Sequence, residues 1–359
     1  MRQAGAVVTK PKVLFIGGAL NQTKIAHAVA RELGDEVEAW FSPFYMDAGV
    51  VGALDKAKLL EWTALGGAFR TASLEYLNDI GAAIDEGGCR NNYAAIVTGS
   101  DLVVQKNVRR KPTVLLQEGM TDPENAMYHV VRTLHLPRYL ASTAAFGMSH
   151  AYDYLCAASE GYKEHFVGKG IPPEKIVVTG LPHWDDLASI AGDRSSPHEG
   201  FVLVATSDAR ETFKVDRRRK FLRHAVRVAA GRPIIFKLHP NEKLERARRE
   251  IRAVAPDAIV VQDGDINPLI ARCEALVTQY STVVYTGMAL GKECHSYFDM
   301  DELRRLMPMQ NGGTSSARMA DVVRHVLSRR SLADRRRLVD VCACSDCRSG
   351  ANDLHAAAG

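Results

Sequence analysis

Four short runs place chemistry-bearing residues where an apolar strand gives way to a loop. Lys237-Leu238-His239-Pro240 sets an ammonium two residues from an imidazole, and on an extended chain positions i and i+2 share one face. A cation beside an imidazole suits a phosphate or diphosphate; the plainer alternative is a strand-end histidine bonded to backbone. Pro240 has no N–H to donate and so ends strand pairing. Gln117-Glu118-Gly119 puts a carboxylate beside a glycine. Partial desolvation raises such a pKa towards the range where it can take a proton from a hydroxyl; a solvated loop acid or a helix cap is the competing reading. Thr278-Gln279-Tyr280-Ser281-Thr282 leads into a helical run ending at Leu290. Ser281 or Thr282 is the expected N-cap, and the free N–H groups and positive dipole end there attract anions. Gly17-Gly18 follows the first strand, with Gly18 either in a tight turn or against a ligand.

Other runs are less telling. No G-x-G-x-x-G and no G-x-x-x-x-G-K-[ST] occurs, which argues against a dinucleotide fingerprint and a P-loop. Asp263-Gly264-Asp265-Ile266-Asn267 reads as a turn with an N-cap. Gly180-Leu181-Pro182-His183-Trp184-Asp185 reads as a hinge with Trp184 as packing. Cys342-x-Cys344-x-x-Cys347 has metal-like spacing. A zinc site usually needs a fourth ligand, for which His355 is the nearby candidate, so free thiols and no metal are expected.

The elements that must position these residues alternate along the chain. Strands are expected at Lys12–Ile16, Val37–Phe41, Ala94–Val97, Pro112–Leu116, Tyr152–Ala157 and Lys175–Val178. Helices are expected at Thr23–Leu33, Lys56–Gly81 (interrupted at Gly66-Gly67) and Glu160–Gly168. Ala191–Gly200, rich in Gly, Asp, Ser and Pro, reads as a linker. The pattern restarts with strands at Phe201–Ala205, Pro233–Lys237, Ala258–Val261 and Ala275–Thr278. The helices between and after them are Asp216–Ala230, Leu244–Val254, Asn267–Cys273, Thr282–Leu290 and a segment from Met319 onward. Alternating βα units predict parallel sheets, here two doubly wound α/β domains facing each other across a cleft, with ligands beyond the carboxyl ends of the strands. The expected bounds are residues 1–188 for the first domain, 200–330 for the second, and 331–359 for a C-terminal helix and tail.

The 359 residues are 46% hydrophobic and 25% charged, which is the balance of a globular chain and excludes a largely disordered or fibrous one. No apolar run reaches the ~18 residues of a membrane span. Met1–Gly5 lacks the features of a secretory signal. A cytoplasmic setting with the seven cysteines reduced is therefore expected. The net charge of +4, from 46 basic and 42 acidic residues, is too mild to require nucleic acid but fits an anionic ligand. The clusters Arg217–Lys220 and Arg335–Arg337 are expected to be solvated faces, with peripheral contact to an anionic membrane or polymer as the second reading. Aromatic residues are not interleaved with them, so stacking on nucleic acid is not expected.

From about Tyr93 to Lys292 the chain resembles the GT-B glycosyltransferase superfamily, in the branch that contains the non-hydrolysing UDP-N-acetylglucosamine 2-epimerases. The run Phe201–Phe213 is similar to the opening of the epimerase second domain. Glu174-Lys175-Ile176-Val177-Val178-Thr179-Gly180-Leu181-Pro182 is similar to the close of its first. Thr278–Thr282 through Gly291-Lys292 takes the place of its nucleotide-diphosphate loop. Three positions depart from the epimerases. Gln117 stands where they have a glutamate. Thr206-Ser207-Asp208 stands where they have a histidine. Ser281–Thr286 replaces a Gly-Gly-x-Gln-Glu-Glu run. The resemblance is nearer to capsule-type Kdo transferases and CDP-glycerol glycerophosphotransferases, which carry a Lys-x-His-Pro-like motif and a Ser-Ser or Ser-Thr helix start. The Kdo group also has an acid directly before the glycine, matching Glu118.

The resemblance implies a GT-B fold and a metal-independent glycosyltransferase with no cofactor beyond its nucleotide-sugar donor. Its expected partners are that donor and a sugar or glycoconjugate acceptor. It also implies Glu118 as the base, with Lys237, His239, Ser281 and Thr282 on the donor phosphates. The other readings left open are polyol-phosphate transfer on the same scaffold, epimerisation or hydrolysis of a UDP-sugar, and an idle sugar-nucleotide binding protein.

Overall fold

The structure is a computed structural model that describes residues 10–45, 67–207, 210 and 216–329. Eleven strands are found among them: β1 Lys12–Gly17, β2 Glu38–Pro43, β3 Ala95–Thr98, β4 Thr113–Leu116, β5 Tyr154–Ala157, β6 Ile176–Val178, β7 Val202–Ala205, β8 Ile234–Lys237, β9 Ile259–Val261, β10 Ala275–Thr278 and β11 Glu293–His295. The main helices are α1 Leu20–Leu33, α2 Gly67–Asp79, α3 Ala126–Thr133, α4 Glu160–Gly168, α5 Arg218–Ala229, α6 Leu244–Arg252, α7 Asn267–Arg272, α8 Val283–Ala289, α9 Met300–Leu306 and α10 over 315–329. Every strand expected from the sequence is present within a residue or two. The short edge strand β11 and the helices α3 and α9 were not expected. The first part of the expected helix at Lys56–Gly81, the Arg335–Arg337 cluster and the Cys342–Cys347 run with His355 lie outside the described residues.

The strands form two sheets. One has the order β2-β1-β3-β4-β5-β6 and the other β11-β10-β7-β8-β9, and every pairing is parallel. Parallel strands need a crossover, and sheets covered on both faces are built from unbroken apolar runs. The second sheet shows why such runs arise. Phe201, Leu203 and Ala205 face one side, with Ile235, Leu276 and Ile270 of α7. Val202 and Val204 face the other, with Phe236, Val277, Phe221 and Leu222 of α5 and Ile251 of α6. Alternate side chains of one strand thus feed two separate core layers, so none can be polar.

The chain divides into two compact units, 1–157 with 165–179 and 316–359, and 158–164 with 180–315. Each unit holds one sheet. The segment Ala191–Gly200 therefore lies inside the second unit. Trp184, in the expected hinge, meets Tyr285 at 5.3 Å between ring centroids, and Asp185 accepts the Ser315 N–H at 2.8 Å. The helix α10 belongs with the first unit. It buries Met319, Ala320, Val323 and Val326, and Arg324 pairs with Glu36 at 2.7 Å.

One close approach in the second unit depends on a missing Cβ. A Cβ at Gly161 in α4 would lie 1.8 Å from the Arg305 carbonyl oxygen, and Ser159 Oγ donates to the Leu306 carbonyl at 3.2 Å. Backbone cannot yield as a side-chain tip can. Gly161→Ala is expected to destabilise the protein by about 1–3 kcal/mol through overpacking, read as a lower midpoint in urea with an unchanged slope.

Candidate active site

In the first sheet β1 lies between β2 and β3. The chain therefore reverses direction across the sheet between β1 and β3, and the carboxyl ends there form the crevice where open α/β sheets take ligands. A polar chain crosses it. The Gly18 N–H donates to Gln22 Oε1 at 2.7 Å, and Gln22 Nε2 donates to Glu118 Oε2 at 2.6 Å. Gln22 stands in the first turn of α1 and Glu118 in the loop after β4, so the glutamine must pass the end of β3. It does so over Gly99, where a Cβ would sit 2.9 Å from Gln22 Cγ. At Gly18 a Cβ would lie 2.8 Å from Gln22 Oε1. Both glycines keep the path of this side chain open. The neighbouring Gln117 is buried and donates to the Gly119 carbonyl at 2.8 Å, which holds the turn that presents Glu118.

Burial raises the pKa of Glu118, and the Gln22 hydrogen bond works against that rise by favouring the ionised form. The result is a half-buried carboxyl above the usual glutamate range with one oxygen clamped. Gln22→Met removes the donor and is expected to raise the Glu118 pKa further, so the acid limb of the pH–rate profile moves to higher pH. Turnover on that limb falls roughly tenfold, the worth of a hydrogen bond to a charged group. Gly99→Ala pushes Gln22 aside and shifts the limb in the same direction. A carbon-detected titration of the Glu118 carboxyl checks both.

In the second sheet β7 lies between β10 and β8, and the corresponding crevice is between β7 and β10. Ser207 Oγ, just past β7, donates to Gln279 Oε1 just past β10, at 3.0 Å. Gln279 Nε2 donates to Asp216 Oδ1 at 2.9 Å, and Asp216 pairs with Arg210 at 3.3 Å. Arg210 in turn grips both oxygens of Glu250 at 2.8 Å. A second buried assembly centres on Glu242. Thr206 Oγ1 donates to its Oε1, the His239 N–H donates to the same oxygen at 3.1 Å, and Arg218 pairs with its other oxygen at 3.0 Å. Glu242 thereby ties the loop carrying His239 to the end of β7 and to the first turn of α5.

The residues expected on the donor side fare differently. Lys237 is buried, and its Nζ donates to the Gln262 and Asp263 carbonyls. Its ammonium thus fastens the loop after β9 through two backbone carbonyls. Burial lowers its pKa, with Asp263 and Asp265 opposing that fall. His239 keeps the expected position, with Nδ1 accepting the Asn241 N–H at 3.2 Å. That acceptance puts the ring proton on Nε2, which is left as the N–H donor of the ring. Thr282 precedes α8, but neither it nor Ser281 supplies the expected side-chain cap. Ser281 is half-buried and Thr282 exposed.

The structure therefore joins Gly18 to Glu118 in the first unit. It gathers His239, Ser281 and Thr282 at the carboxyl edge of the second sheet, and it commits Lys237 elsewhere. Gln22, Gly99, Glu242, Arg218 and Asp216 were not anticipated. Gln22 had one readable signal, as one of the two adjacent amides, Asn21 and Gln22, that follow the Gly-Gly turn. Among the described residues no three His, Cys, Asp or Glu side chains gather as a metal set.

Two parallel doubly wound sheets with ligand crevices of this kind define the GT-B fold, and comparison with solved structures agrees. UDP-GlcNAc 2-epimerase from Neisseria meningitidis bound to UDP-GlcNAc matches with a TM-score of 0.51 at 11% identity, over 87% of this chain and 99% of that one. The S. aureus MnaA–UDP complex matches with 0.51 at 11%, over 89% and 97%. A variant of the wall teichoic acid polymerase TagF matches with 0.50 at 13%, over 90% of each chain. No protein-family profile and no curated protein matches the chain. At these identities the likeness establishes the fold, and this chain has the GT-B fold of the epimerases and TagF.

Proposed function

We propose that this protein transfers a glycosyl group from a nucleotide-activated sugar to an acceptor hydroxyl. The observation that carries the reading is the clamped, half-buried Glu118 at the ligand crevice of the first sheet. In the reaction the acceptor oxygen forms a bond to the anomeric carbon. The bond from that carbon to the donor phosphate breaks, and the nucleotide leaves with the electron pair. Glu118 takes the hydroxyl proton, an effect of ~10²–10⁴-fold for a positioned base. The Nε2–H of His239 and the polar start of α8, Ser281 and Thr282, meet the charge on the leaving phosphate, as preorganised donors do. The donor is a substrate, and no resident cofactor enters the scheme. The nucleotide-bound epimerase and MnaA structures support a nucleotide-sugar donor. Glycan or glycoconjugate synthesis is the setting that follows.

The test is incubation with UDP-, CDP-, CMP- and GDP-activated donors, with and without hydroxyl acceptors. Acceptor-dependent release of nucleoside diphosphate supports ordinary glycosyl transfer. Release of nucleoside monophosphate points to a CMP-sugar or a CDP-polyol. Formation of an epimer alone, or donor binding without turnover across an acceptor panel, overturns the proposal.

A further inference from the structure

The loop that carries His239 is gripped from two sides. Beyond β8 the chain turns sharply. The Glu242 N–H donates to the His239 carbonyl at 3.0 Å, closing a four-residue turn with Pro240 in its second position, the place that a fixed φ favours. The Asn241 N–H donates to Nδ1 of the imidazole at 3.2 Å. The ring is therefore fastened to its own turn, and a shift of the turn moves Nε2. On the inner side the buried Glu242 carboxylate accepts the His239 N–H at 3.1 Å.

On the outer side stands Gln262, which directly follows β9 and is half-buried. Its Nε2 donates to the carbonyl of Glu242 at 2.8 Å, of Pro240 at 3.1 Å and of His239 at 3.4 Å. Carbonyls in a turn have no strand ladder to bond, and here one side-chain amide with two hydrogens serves three of them. Gln262 is itself anchored. Lys237 Nζ donates to its backbone carbonyl and to that of Asp263, and the Leu238 N–H donates to the Val261 carbonyl at 2.8 Å. The contacts thus form a closed circuit, from the end of β8 to the loop after β9 and back to the turn at His239. Because β9 is the edge strand of its sheet, no further strand supports this loop among the described residues.

We propose that Gln262 is a positioning residue for His239, its amide setting where the imidazole Nε2–H stands at the carboxyl edge of the second sheet. A donor aimed at developing charge works through its preset placement, so a loosened imidazole is a weaker donor with its own chemistry unchanged. The consequence for transfer rests on the reading of His239 as a donor to the leaving phosphate; the positioning does not.

Two measurements on the full chain test this. The first needs no ligand: the ring nitrogens of His239, assigned by comparison with His239→Ala, are read by long-range nitrogen–proton correlation at alkaline pH, where an ordinary imidazole carries one proton. Wild type is expected to show one fixed form, with Nδ1 accepting and the proton on Nε2. Gln262→Met keeps the length of the side chain and removes the donor, and is expected to draw the two nitrogen shifts together as the turn loosens. The second is a double-mutant cycle read by calorimetric binding of inorganic pyrophosphate. Gln262→Met is expected to weaken binding about fivefold in the wild-type background, the worth of one hydrogen bond, and less than about twofold in the His239→Ala background. Gln262→Asn, whose amide is one methylene shorter, is the second variant and is expected to move both readouts the same way. Unaltered His239 nitrogens in both variants, or an equal loss of pyrophosphate binding in the two backgrounds, overturns the proposal. If wild type does not bind pyrophosphate, the phosphate role of His239 falls, and the nitrogen spectrum by itself decides the positioning.

Discussion

Replacing Glu118 by glutamine is expected to lower turnover by ~10²–10⁴-fold while donor affinity stays the same, because a general base works only on the proton in flight. The amide keeps the shape of the carboxyl, so Gln22 and the turn at Gly119 remain in place. Steady-state rates beside donor titration calorimetry separate the two quantities. The same substitution carries a stability signature of opposite sign. Burial holds the folded-state pKa of Glu118 above its unfolded value. The folded state thus prefers the protonated acid, and that preference is fully present below the unfolded pKa. It is lost as pH rises through the folded pKa, so at neutral pH the ionised carboxylate destabilises the wild-type protein. Glu118→Gln is expected to melt higher than wild type at neutral pH and to match it in acid. Activity traded against stability in this way is the mark of a functional group held in an unfavourable setting. Equal melting at both pH values, with turnover intact, removes Glu118 from the mechanism.

Loss of Glu242 is expected to be the most damaging single change in the second unit. The carboxylate is 1% exposed and Arg218 is 5% exposed. Removing one partner of a buried pair leaves the other charge uncompensated, at about 3–5 kcal/mol. Glu250 lies 3.6 Å from Arg218 Nε, but both its oxygens are already held by Arg210, so its compensation is partial. Glu242→Ala also strips the acceptor from Thr206 and from the His239 N–H. The loop that presents the imidazole then loosens as stability falls. Urea denaturation measures the loss. The double variant Arg218→Met/Glu242→Leu is expected to recover most of it, because apolar residues of similar volume replace buried ion pairs well. If the double variant is as unstable as Glu242→Ala, the pair is not the cause.

Much of this architecture was legible in the chain. Buried parallel strands have to be apolar on both faces, so Lys12–Ile16 or Phe201–Ala205 announce themselves without reference to any partner. Edge strands carry no such obligation, which is why Glu293–His295, with a charged and a polar end, passed unread. The candidate base was readable because a carboxylate next to glycine at a strand end is a local pattern. The role of Lys237 was not. Its spacing from His239 is that of a phosphate pair, but the loop after β9 comes within reach of its ammonium and offers two backbone carbonyls first.

Composition and periodicity alone determined two blocks of βα units, their parallel pairing and the strand ends at which ligands belong, because covalent alternation and hydrophobic burial act over a few residues at a time. The fold decided which of those ends face one another across each crevice. Gln22 and Glu118 are 96 positions apart, and the helix α5 and the strand β8 lie between Arg218 and Glu242. Such pairs meet only when the order of strands in a sheet is set. That order is chosen by the packing of whole helices on the sheet and by the hand of the crossovers, and no short stretch of chain encodes it.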